Sequence, residues 1–156
     1  MSVMICSAKN TLFIRTALGL GFLLLLLAGC SSSQRETVLA VDAALPAFLD
    51  VATPRVRDAY RFAIANTDKL ERIPCYCGCG KMGHTSNLSC YIRSTTADSA
   101  IVYDEHANGC GICVDITQDV MRLTQIGQSM WEIRAYVDAQ YSPFGPSTDT
   151  PLPAKP

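Results

Sequence analysis

The sequence has no run of like charge, no basic patch and no uninterrupted apolar stretch of bilayer-spanning length, and it holds one tryptophan and two histidines. Thirteen basic residues against 14 acidic ones leave a formal charge of −1, so nothing in the charge pattern suits a nucleic-acid partner. No glycine-rich phosphate loop, dinucleotide fingerprint or Ser/His/Asp set is present, which removes the commonest nucleotide-dependent and hydrolytic chemistries from consideration. No internal repeat is visible beyond two clusters of cysteine. Eight cysteines in 156 residues are what is abundant.

Lys9 and Arg15 give the chain a basic start, Thr16–Leu27 is apolar, and Leu27-Ala28-Gly29-Cys30 follows directly. An apolar core of about 12 residues is too short for a permanent span, which needs roughly 20, and a small residue before the cut completes the pattern of a removable secretory signal. The Leu-Ala-Gly-Cys run resembles a bacterial lipobox. That resemblance implies cleavage before Cys30, lipidation of the Cys30 thiol, and a mature protein tethered to a membrane outside the cytoplasm with Ser31–Ser33 as a flexible lead. The expected organisation is a signal peptide over 1–29, the lipidated cysteine and a weakly patterned linker over 30–52, one Cys/His-rich helical domain over 53–142, and a Pro-rich disordered tail over 143–156. Without Lys9 and Arg15 the mature chain has 11 basic and 14 acidic residues, a charge near −3. A domain of about 90 residues has a modest core, and crosslinks or metal commonly hold such cores together.

The fold class expected is mainly α: two to three helices with a long Cys-rich loop. Thr53-Pro54 is a good helix start, because threonine accepts a free backbone N–H and proline in the first turn loses no hydrogen bond. Val56, Ala59, Tyr60, Ala63 and Ile64 then share one face of a helix ending near Asn66. Asp68–Ile73 could add a turn before Pro74. A second helix is expected over Gly111–Ile126, with Ile112, Ile116, Val120 and Leu123 inward and Gly127 as its stop. Ser129 and Glu132 form a capping box for a third helix that runs to Tyr141 and buries Ile133, Tyr136 and Val137. Tyr76–Ala107 reads as a loop with at most a short strand at Ile101–Tyr103. Loops of that length in small domains are usually functional or crosslinked. Trp131 and Tyr136 fit core or surface better than a cofactor box, and Asp104 and Glu105 beside His106 do not by adjacency make an acid/base pair.

Setting aside Cys6 and Cys30, six cysteines remain, Cys75, Cys77, Cys79, Cys90, Cys110 and Cys113, and both histidines, His84 and His106, lie among them in one 39-residue window. Gly78 and Gly80 relieve crowding so that neighbouring thiolates can point at one centre. Three chemistries compete. A disulfide framework fits an even number of exported thiols, although partners two residues apart cannot pair without strain and the histidines have no place in it. A soft-metal site for Cu(I) or Zn(II) uses every residue of the set, since thiolate and imidazole are the ligands those ions take. Six thiols and two imidazoles exceed one tetrahedral ion, so either two ions, a small cluster or a subset is implied. Thiol–disulfide exchange at Cys110-Gly111-Ile112-Cys113 is the third, with Cys110 the attacker if the helix start lowers its pKa.

The stretch Ile73-Pro74-Cys75-Tyr76-Cys77-Gly78-Cys79-Gly80, then Gly83-His84, Ser86-Asn87-Leu88 and Cys90, then His106-Ala107 with Cys110-Gly111-Ile112-Cys113, resembles the bacterial lipoproteins named for their PCYCGC motif. The likeness extends over most of Tyr60–Pro153, including Glu132-Ile133-Arg134 and Thr148–Pro151. It implies export, lipidation and a shared site at these cysteines, and names no reaction. A weaker likeness is to the helical thiol proteins of c-type cytochrome maturation, which place one cysteine pair between helices; six cysteines are many more than such a pair. The expectation is therefore a membrane-tethered, extracytoplasmic soft-metal binder with a metal donor or acceptor protein as partner and no catalytic residues.

Overall fold

A computed structural model describes residues 39–40 and 44–155, all within one compact unit. The expected signal peptide, lipobox at Cys30 and serine tether fall outside the described residues.

Helix α1 (Pro54–Ala65) begins where Thr53 Oγ1 accepts the Val56 N–H at 3.4 Å, with proline in its first turn. It buries Ala59, Tyr60, Phe62 and Ala63. A single turn, α2 (Thr67–Leu70), follows at once and buries Leu70. Helix α3 (His106–Gly109) is a second short turn. It runs into α4 (Gly111–Gln125), which buries Cys113, Val114, Ile116, Thr117, Val120 and Leu123. The last helix, α5 (Met130–Tyr141), starts at a complete capping box: Ser129 Oγ accepts the Glu132 N–H at 3.3 Å and Glu132 Oε2 accepts the Ser129 N–H at 2.8 Å. Helix α4 packs against both α1 and α5. Complete burial of aliphatic side chains such as Leu49, Leu70, Ile73, Ile116 and Ile133 contributes about 1.5–3 kcal/mol each.

The expected long loop has structure of its own. Strand β1 (Ile92–Thr95) pairs antiparallel with β2 (Ile101–Tyr103), in register Ile92↔Tyr103 and Thr95↔Ile101, with an irregularity between Ile92 and Ser94. Strand β2 was expected and β1 was not, because Ile-Arg-Ser-Thr carries one apolar residue and gives no alternation to detect. The hairpin brings Tyr91 under α1, where its ring meets Tyr60 edge-on at 4.9 Å.

Three further expectations are corrected. The linker is not a spacer throughout: Leu49 is fully buried, Phe48 meets Tyr60 at 5.8 Å, and Leu39 and Leu45 pack on the core. Tyr136 is only half-buried, its hydroxyl 3.3 Å from Asp119 Oδ2 and its ring under the Arg122 guanidinium. The tail is ordered, although it has little regular structure. After a 3₁₀ turn at Ser142–Phe144 it runs back over the cysteine loop and buries Thr148 and Pro153. Among the described residues, no helix is long and apolar enough to cross a membrane.

Candidate metal centre

Three residues of turn separate the short helix α2 from Pro74, and Cys75 leads the chain into the core. Its backbone is clamped by the tail: Cys75 N–H donates to Thr148 Oγ1 at 2.9 Å, and Thr148 N–H donates to Cys75 O at 2.9 Å. Gly78 then takes a left-handed conformation (φ +85°) that side chains rarely adopt, turning the chain into the 3₁₀ segment Cys79–Met82. That turn lets Cys75, Cys77 and Cys79, spaced two apart, face one centre. Gly80 does not take a left-handed conformation, so Gly78 alone supplies the turn expected of the pair. Opposite this loop, Cys113 sits in the first turn of α4, its carbonyl met by three side chains: Asn87 Nδ2 at 3.2 Å, Tyr91 OH at 2.9 Å and Thr117 Oγ1 at 3.2 Å.

These elements bring all eight expected ligands together. Cys75 Sγ lies 3.4 Å from both Cys77 Sγ and Cys113 Sγ, Cys77 Sγ lies 3.6 Å from Cys113 Sγ, and Cys79 Sγ lies 3.7 Å from Cys90 Sγ. His106 Nε2 is 3.3 Å from Cys77 Sγ, and His84 Nδ1 is 3.4 Å from Cys90 Sγ. Among the described residues all six cysteines are free thiols. A disulfide needs sulfurs about 2.05 Å apart. Two thiolates on one tetrahedral ion, with metal–sulfur bonds near 2.3 Å, stand roughly 3.8 Å apart. The observed spacing is that of ligands converging on a common centre.

Four overlapping groups have their ligand atoms within 4.8 Å of one another: Cys77, His106, Cys110 and Cys113; Cys79, His84, Cys90 and His106; Cys75, Cys77 and Cys79; and Cys75, Cys90 and Cys113. Any of them could hold a metal ion. Cys75, Cys79, Cys90 and Cys113 are buried, whereas Cys77 and Cys110 are half-buried. The two imidazoles meet edge-on, ring centres 5.2 Å apart. An open cleft of about 790 Å³ reaches the cluster from solvent, and its lining includes Met82, His84, Asp104, Glu105, His106 and Cys110.

Electrostatics distinguish the thiols. Hydrogen bonding from Cys90 and from His106 holds the Cys77 thiol down at about 4. The Cys75 thiol is lowered to about 7, chiefly by its contact with Cys113. Cys79 is lowered as well, through Cys113 and Cys75. Cys90 and Cys113 are pushed up, each by the thiols around it, first of all Cys113 for Cys90 and Cys75 for Cys113. Burial also raises Cys110, so the residue expected to be the low-pKa attacker of an exchange pair is not one. Burial opposes the charge on His106, but the Cys77 thiolate beside it prevails and raises its pKa.

Asp104 is a residue whose part in the site its sequence neighbours did not reveal. Its Oδ1 accepts the His106 N–H at 2.9 Å, and its Oδ2 lies 3.7 Å from His84 Nε2 and 3.3 Å from Arg93 Nη2. Asp104 thus fixes the backbone at His106 by a hydrogen bond and stands beside the far nitrogen of His84, whose Nδ1 faces Cys90, without a hydrogen bond to it. Adjacency to His106 was the available signal; the link to His84, 20 positions away, needed the hairpin. Thr148 was likewise visible only as part of a resemblance.

A family model described as "Protein of unknown function with PCYCGC motif" matches residues 28–153. No curated protein and no solved structure matches, so the weaker likeness to cytochrome-maturation thiol proteins gains no support.

Proposed function

This chain belongs to the family of proteins of unknown function with a PCYCGC motif, and from that premise we propose that it is a lipid-anchored, extracytoplasmic binder of a soft metal ion, Cu(I) or Zn(II). The observation that carries the reading is the convergence of six free thiols and two imidazoles in mutually overlapping groups, with four sulfur pairs among Cys75, Cys77, Cys79, Cys90 and Cys113 standing 3.4–3.7 Å apart. Cys75, Cys77, Cys79, Cys90, Cys110 and Cys113 supply thiolates, and His84 and His106 supply neutral imidazole nitrogens. Such donors suit soft and borderline ions and would suit Mg(II) or Ca(II) poorly. Ligation releases the thiol protons, so affinity rises with pH. The Leu27-Ala28-Gly29-Cys30 sequence supports a lipid tether at Cys30, which would hold the domain at a membrane surface near a donor or acceptor protein.

The test is native mass spectrometry of the full chain, purified anaerobically in detergent, before and after denaturation and thiol alkylation. A bound-metal mass in the folded state, with all six site thiols alkylatable after unfolding, is expected and names the element. A metal-free mass lacking six hydrogens, with none of these thiols alkylatable, would replace this reading with a disulfide-stapled interaction module.

A further inference from the structure

The eight donors are enough for two sets of four, one of which is a group by its own geometry. A tetrahedral ion takes four ligands, so one ion leaves half of them unused. Cys77, His106, Cys110 and Cys113 form one set with every ligand atom within 4.8 Å of the others. His106 also falls in the group with Cys79, His84 and Cys90. Its Nε2, however, has one lone pair and lies 3.3 Å from Cys77 Sγ, which assigns it to the first set. The second set then lacks a fourth ligand. Cys75 is the remaining donor, and it is grouped with Cys79 on one side and with Cys90 on the other. Each set is then three thiolates and one imidazole, a combination found in structural zinc sites.

The sets differ in access. In the second, Cys75 and Cys90 are 0% exposed and Cys79 is 2% exposed, so that of its four ligands the half-buried His84 alone reaches the cleft. In the first, Cys113 is 0% exposed, but Cys77 and Cys110 are half-buried, and Cys110 and His106 line the cleft. Charge favours divalent ions: six thiolates carry six negative charges, so two dications leave a surplus of two where two monocations would leave four, and surplus charge in a buried site is costly.

Resting on the metal-binding reading above, we infer that the chain holds two adjacent divalent ions such as Zn(II): an exchangeable outer one on Cys77, His106, Cys110 and Cys113, and a locked inner one on Cys75, Cys79, His84 and Cys90. Cys75 Sγ, 3.4 Å from both Cys77 Sγ and Cys113 Sγ, joins the two positions. The inner ion braces the loop; the outer ion is the one handed over at the cleft.

The test loads the full chain with Zn(II) in detergent and counts ions by native mass spectrometry while a chromogenic chelator competes. Two ions are expected, one lost in a fast phase with the far-ultraviolet circular dichroism unchanged and the other only on unfolding. Cys110→Ser should abolish the fast phase and leave one ion bound. His106→Gln serves as a second variant with the same expectation should the first fail to fold. A single ion in the parent chain, or two leaving in one phase, overturns the two-position inference while metal binding stands. No ion at all overturns both.

Discussion

Cys77 and His106 act as an electrostatic pair: the thiol is held at about 4 and the imidazole above its ordinary value. A thiolate exists above its pKa, so in the metal-free chain Cys77 is ionised at pH 6, while Cys90, Cys113 and Cys110 are held up as thiols. A brief exposure to iodoacetamide at pH 6, read by peptide mass mapping, should therefore label half-buried Cys77 ahead of those three, and the label should fade as pH falls toward 4. The same depression stabilises the fold fully above the ordinary thiol value near 9 and is lost as pH drops through about 4. Labelling of Cys110 first would favour an exchange pair at Cys110 and Cys113. Bound metal should block the reaction, because coordination occupies the thiolate lone pair.

The elements matter for what they clamp. Helix α4 presents Cys113 through a buried polar network in which Thr117 Oγ1 donates to Asn87 Oδ1 at 2.7 Å and lies 2.7 Å from the Tyr91 hydroxyl. The tail closes the opposite side, and Gly145 permits its approach: a Cβ there would stand 2.9 Å from Tyr76 O. Thr148 then holds both polar groups of Cys75. Thr148→Val keeps the shape but leaves the buried Cys75 N–H without an acceptor, which should cost about 1–3 kcal/mol. Urea unfolding of the metal-saturated chain measures this as a lower midpoint at unchanged slope. An unmoved midpoint would show that the clamp does not contribute.

Across the whole molecule the cluster and the hydrophobic core are continuous, since Cys75, Cys79, Cys90 and Cys113 belong to the buried cluster that includes Tyr60, Ile73 and Ile116. Metal removal should therefore lower the thermal midpoint and readdition restore it, the bound state gaining about 2.7 kcal/mol at a free-ion level 100 times Kd. Differential scanning calorimetry with and without chelator decides this, and coincident traces would detach the cluster from stability. The helices were legible in the sequence because local rules specify them: Thr53-Pro54 and the Ser129–Glu132 box start α1 and α5, and apolar residues at helical spacing face inward in α1 and α4. The candidate ligands were legible for a related reason, as the chain's soft donors are concentrated in one window. What the sequence could not disclose is which sulfur meets which nitrogen, that Cys75 lies between two sets of donors, and that Asp104, Thr148 and the tail hold the site. Those relations join residues as far apart as 73 positions. Such pairs meet only when helix packing and the hairpin close the intervening chain, so tertiary structure alone decided them.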